Sequence, residues 1–152
     1  MRRLLPLALI LLLAGCRDSP EEVIEEASAA AARGDLVTVR ELFSITTAQR
    51  LERAWRLSNT PESRGWETLA EKLHFNGEAL VVEKEGKIYG DYARVDAKAG
   101  VSVRDYYLRK EDGRWRIELG AGMRYRTAEA KAKEAAKKAK KGKGDEEEED
   151  EG

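Results

Sequence analysis

Cysteine and histidine are almost absent from this chain, with one of each in 152 residues, alongside three prolines and two methionines. A lone cysteine cannot form an internal disulfide. A lone histidine, His74, leaves no histidine pair for a zinc site or a proton relay. No apolar run reaches the roughly 20 residues that a spanning helix needs; the run Leu4–Leu13 is ten residues long. Gly113 and the Gly120-Ala121-Gly122 stretch lack the following Lys-Ser or Lys-Thr and helix of a phosphate-binding loop. A serine nucleophile elbow is also missing. These absences exclude the common metal, nucleotide and serine-hydrolase chemistries, and no cofactor is expected.

The single cysteine is well placed. Arg2 and Arg3 precede the apolar run, and Leu13-Ala14-Gly15-Cys16 closes it. Positive start, short apolar middle and small residues before a cut are the three parts of an export signal. With cysteine at the cut, the pattern resembles a bacterial lipoprotein signal. The resemblance implies removal of residues 1–15, lipidation of Cys16, and a short tether over residues 16–18. It also implies a membrane partner through the anchor and a place in the cell envelope. Arg17 rather than an acid follows the cysteine, and by the sorting scheme of such lipoproteins this favours the periplasmic face of the outer membrane. Acyl chains hold a protein at a bilayer because each buried methylene contributes about 0.8 kcal/mol.

Composition divides the rest. Residues 16–122 hold all three tryptophans and every tyrosine but Tyr125. Arg124 to Lys143 carries nine basic and two acidic residues, and Asp145 to Glu151 is seven consecutive acids. Residues 123–152 therefore read as a low-complexity tail, disordered or a single helix, with too little apolar surface to offset the entropy of ordering. Its opposite charges nearly cancel and no aromatic residue is interleaved for base stacking. No nucleic-acid partner is expected.

Residues 19–122 read as one domain. Ser19-Pro20-Glu21-Glu22 has the form of a capping box. Val23, Ile24, Ala27, Ala30 and Ala31 follow at helical spacing, and Gly34 stops that helix. Asp35 caps a second helix bearing Leu36, Val39, Leu42 and Phe43. Thr46 and Gln49 repeat the capping-box spacing ahead of Leu51, Ala54 and Trp55. After the break at Asn59-Thr60-Pro61, Trp66, Leu69, Ala70 and Leu73 mark another helix. Beyond His74 the period shifts to two. Ala93, Val95 and Ala97 alternate with polar residues, as do Val101, Val103, Asp105 and Tyr107 with their neighbours. Asp112-Gly113 is a two-residue hairpin signal, and Trp115 and Ile117 form an inward ridge. Helices followed by at least four antiparallel strands predict an α+β domain, with the N-terminal helices packed on a curved antiparallel sheet.

Three stretches carry a family resemblance: Ser19-Pro20-Glu21-Glu22-Val23, Arg33-Gly34-Asp35-Leu36, and Tyr107 through Ile117. Together they resemble small bacterial lipoproteins of unknown function. Those belong to the cone-shaped superfamily of nuclear transport factor two, ketosteroid isomerase and the SnoaL-like cyclases. The likeness spans about residues 19–120. It implies helices seated in the concave face of a strongly curved sheet. Ser44–Arg64 departs from it, being longer and more polar. Dimerisation through the outer sheet face, common in that superfamily, is left open by the sequence.

An enzyme on such a fold would place a carboxylate or tyrosine inside the cone. Asp105 shares strand parity with Val101, Val103 and Tyr107. If those face the core, its carboxylate is carried inward and its pKa rises, as for a general base. A bulge, or pairing with Arg94, Arg104 or Arg116, would make it structural instead. Asp105, Tyr107 and Tyr92 are thus the candidate pocket residues. No catalytic or metal-ligating set stands out. The leading expectation is a non-catalytic, membrane-anchored cone that binds a small apolar ligand or an envelope protein. The alternatives are an isomerase or dehydratase using Asp105, and a purely structural assembly factor.

Overall fold

The computed structural model describes residues 19–144; the expected signal segment, Cys16 and the acidic run lie outside them. Four helices come first: α1 (Pro20–Ala32), α2 (Leu36–Leu42), α3 (Ile45–Leu57) and α4 (Glu62–Ala70). Seven strands follow: β1 (His74–Phe75), β2 (Glu78–Ala79), β3 (Val81–Val82), β4 (Lys87–Tyr89), β5 (Tyr92–Ala99), β6 (Ser102–Glu111) and β7 (Arg114–Ile117). Helix α5 (Gly122–Gly144) closes the described chain. The fold is α+β, with N-terminal helices on a strongly curled antiparallel half-barrel, a cone-like arrangement.

Local chemistry explains the helix ends. The Ser19 hydroxyl accepts the Glu22 N–H at 3.2 Å, and Pro20 occupies the first turn. Gly34, at φ +73°, ends α1. Its N–H reaches the Ala31 carbonyl and the Asp35 N–H reaches that of Ala30. These are the paired bonds of a Schellman stop, which needs a left-handed residue there. Asp35 then caps α2 through the Thr38 N–H and hydroxyl. These hydrogen bonds, the hydroxyl's first, hold its carboxyl below the usual carboxylate range.

Helix α3 starts two residues earlier than the capping-box spacing at Thr46 and Gln49 predicts. Ser44 is its cap, accepting the Thr47 N–H at 3.1 Å. The Ser44 N–H is itself tied to the Ile117 carbonyl at 2.9 Å, so a tertiary contact chose between two local caps. The face α3 buries is Thr47, Ala48 and Glu52, with Leu51 and Trp55 only half-buried. Glu52 is satisfied by Arg40 at 2.6 Å, and that hydrogen bond holds its pKa down against the opposing effect of burial.

The sheet order is β3-β5-β6-β7, with β4 sharing the β5 edge. Ala93, Val95, Ala97 and Ala99 line the inner face of β5, all buried. The three alanines of β5 let α1 approach closely, and Val23, Ile24 and Ala27 fill the concavity. Trp66 and Trp115 are also buried in that core, and Trp55 stacks edge-on against Trp66 at 5.2 Å. The apolar run Ala79–Val82 is split: Ala79 pairs with β1, Val81 and Val82 pair with β5, and buried Leu80 turns between them. The Leu80 N–H is taken by the buried Ser28 hydroxyl of α1 at 2.6 Å.

The tail does not begin at residue 123 as composition predicts. Tyr125 is 3% exposed. Its ring meets Tyr89 and Tyr107 at 5.5 and 5.6 Å on the outer sheet face. Arg124 pairs with buried Glu118 at 2.8 Å, and Arg109 approaches the same carboxylate at 3.7 Å. Of the two sequence options for this segment, the described part is a single helix. Its first turns belong to the domain, and from Ala130 to Lys140 it is exposed on all sides.

Candidate functional site

Two clefts indent the surface near the helix–sheet junction. The larger, about 710 Å³, lies between α2, the start of α3 and the β6–β7 hairpin. Its wall is polar, and three of its charged side chains are answered from within. Arg40 is paired to Glu52, Arg116 donates to the Glu41 carbonyl, and Glu111 accepts the Ile45 N–H at 3.4 Å.

The second cleft, about 440 Å³, has a different character. Phe43, Leu69, Leu73, Ile117 and Leu119 give it an apolar wall, closed on one side by Arg104 to Tyr107 of β6. Lys72 and Arg104 stand at its rim. Arg104 and Tyr106 both donate to the Lys72 carbonyl, at 2.6 and 3.2 Å, which braces the end of α4 against β6. Burial raises the Tyr106 phenol pKa. An apolar pocket of this size with few polar groups is the usual form of a ligand site.

The position of the cleft follows from where β7 stops. The Glu118 N–H bonds the Tyr107 carbonyl at 2.9 Å, the last link between the two segments. Beyond it the chain turns away at Gly120, where Arg50 holds the Leu119 carbonyl at 2.6 Å. The half of β6 before Tyr107 keeps β5 as its partner and has none on the other side. Successive residues of an antiparallel strand direct their N–H and C=O to opposite neighbours. Lys110 donates toward β5, to the Asp91 carbonyl at 2.8 Å, so the backbone groups of Asp105 and Val103 point the other way, to the side β7 leaves open, where Asp105 lies in the cleft wall.

The inward reading of Asp105 is overturned. Leu108 pairs with Ile117 and Lys110 with Trp115, so even-numbered residues of β6 face the core. Leu108 is fully buried, whereas Val103 is 68% exposed and the Asp105 side chain 49%. Asp105 stands opposite Asp96 on the outer face, with its carboxylate 4.0 Å from Arg94 and accepting the Tyr107 hydroxyl at 3.2 Å. The fold thus brings Asp105 and Tyr107 together, on the outside of the sheet. Tyr92 lies on the same outer face, paired with Tyr89 and Arg109, and lines neither cleft. The signal that settles parity was in the sequence. A two-residue turn at Asp112-Gly113 pairs residue 110 with 115, and an inward Trp115 then fixes the even positions. His74 has a local role, its Nδ1 accepting the Gly77 N–H at 3.1 Å.

No group of His, Cys, Asp and Glu that could hold a metal is found among the described residues, and none of their helices is long and apolar enough to cross a membrane. Comparison with known proteins finds no matching family model, no similar curated protein and no similar solved structure.

Proposed function

We propose that this chain is a lipid-anchored protein of the bacterial envelope whose cone domain binds, rather than transforms, a small apolar ligand or a protein partner. The anchor reading rests on the Leu13-Ala14-Gly15-Cys16 motif. The observation that carries the binding reading is the apolar cleft beside β6, combined with the packed interior of the cone. Catalysis has little to work with there. Glu118 is held between Arg109 and Arg124, the Asp105 carboxylate is turned to the outer face, and the Tyr106 phenol bonds a backbone carbonyl. The carboxylate–hydroxyl pair among the described lining residues, Asp105 and Tyr107 at 3.2 Å, has its side chains on the outer face of the sheet and away from the apolar wall.

Two measurements test the two halves. Cys16→Ala should move the protein from the membrane pellet to the soluble fraction; retention in the pellet would end the lipoprotein reading. Titration with a panel of small apolar carboxylates should shift the amide resonances of Leu69, Leu73 and Leu119. Shifts confined to other surfaces would show that the cleft is not the ligand site.

A further inference from the structure

The edges of a sheet are where another chain can pair, and natural proteins usually block them. Two edges of this sheet are blocked. On the β7 side, Phe43 bridges to Ile117, the Ser44 N–H takes the Ile117 carbonyl, and Arg116 is tied to the Glu41 carbonyl. On the other side, β3 and β4 are two and three residues long, and the Gly86 N–H between them is held by Glu21 of α1. The stretch of β6 that β7 leaves uncovered has no such device. Val103 and Asp105 each turn an N–H and a C=O to this open side, Asp105 in the cleft wall and Val103 just before it in the strand, and no backbone or side-chain bond among the described residues takes them. Arg104, the cation that would guard the edge, is folded back onto the Lys72 carbonyl.

We propose that this open half of β6 takes an extended segment of a partner protein as an added strand. This inference rests on the binding reading of the cleft and names its occupant. Main-chain bonds to Val103 and Asp105 supply attachment, and the adjoining apolar wall of Phe43, Leu73 and Leu119 takes one large apolar side chain of the segment. Lys72 and Arg104 have no carboxylate partner among the described residues, so an acidic side chain flanking the apolar one complements the rim. A second copy of this chain fits less well. A two-fold centred on Arg104 or Asp105 would set like charges directly opposite each other.

The test is selection of a displayed random heptapeptide library against the full-length protein in detergent, followed by titration of the enriched peptides. The selected peptides should carry an apolar residue next to an acidic one. N-methylation of alternate peptide amides should weaken them at least about tenfold, the loss expected when two main-chain hydrogen bonds go. Asp105→Pro should do the same, because it removes an N–H that β5 does not use and proline is tolerated at such edge positions. Leu119→Glu should also weaken binding, by placing a charge in the apolar wall. The N-methylated peptides probe the edge without altering the protein, so the result stands even if a variant folds poorly. Binding in the cleft that ignores both N-methylation and Asp105→Pro would overturn strand addition and leave only a side-chain pocket. A library that yields no sequence bound at the cleft would overturn it as well, while the small-ligand titration above judges the cleft separately. Doubling of mass, with exchange protection of the Val103 and Asp105 amides in peptide-free protein, would assign the edge to a second copy instead.

Discussion

Replacing Tyr125 by alanine should undo the docking of α5. The side chain is nearly fully buried and its ring lies between those of Tyr89 and Tyr107. Truncating a large buried aromatic side chain costs about 3–5 kcal/mol, and each aromatic pair adds about 0.5–1.5 kcal/mol beyond area. The site lies between a helix and the outer sheet face, where neighbours can relax, so the lower end of that range, about 3 kcal/mol, is expected. Against a typical total stability of about 5–15 kcal/mol this is a large fraction. The assay is urea unfolding of the full chain, with amide exchange followed over Gly122–Lys133. Tyr125→Ala should lower the unfolding free energy and speed exchange through those residues. Tyr125→Phe is the control: no hydrogen bond of the hydroxyl exists among the described residues, so it should stay within about 0.5 kcal/mol of the parent. A Tyr125→Ala loss below about 1 kcal/mol with unchanged exchange would refute the docking, and with it the inclusion of the tail's first turns in the domain.

The same residue predicts a pH effect. Burial first, and Glu129 next, push the Tyr125 pKa from 10 up to about 12. A raised folded-state value means a contribution that is full below pH 10 and lost as pH climbs through 12, worth about 2–3 kcal/mol. The parent should therefore lose more stability than Tyr125→Phe between pH 10 and 12, and equal losses would contradict the burial. Gly65→Ala should lower the urea midpoint, because an added Cβ would sit 2.3 Å from the Trp55 ring that packs on Trp66. Overpacking costs of about 1–3 kcal/mol outweigh the helical gain of about 1 kcal/mol from alanine. A raised midpoint would mean that Trp55 swings away freely.

Much of the domain was legible in the chain because its signals are local. Caps at Ser19 and Asp35, the Gly34 stop and the Asp112-Gly113 turn act over three or four residues, and all are found where the spacing puts them. A second hairpin turn, Asn76-Gly77, carries the same signature and joins β1 to β2. The α3 start went to Ser44 because a bond to Ile117, 73 positions along the chain, decided between neighbouring hydroxyls.

By itself the sequence determined the α+β class, the helix order, the inward face of β5 and the ridge of Trp115 and Ile117, all through periodicity and turn chemistry. Tertiary structure alone decided where β7 ends and what Tyr125 packs against. Alternation on β6 is ambiguous because Val101, Val103 and Tyr107 look as apolar as Tyr106 and Leu108. Pairing with β7 distinguishes them, and the Asp112-Gly113 turn with an inward Trp115 carries that pairing in the sequence. The cleft and the open edge exist because β7 is shorter than β6 and Arg50 draws the chain aside at Leu119. Neither is a property of any one segment, so neither could be read from the sequence.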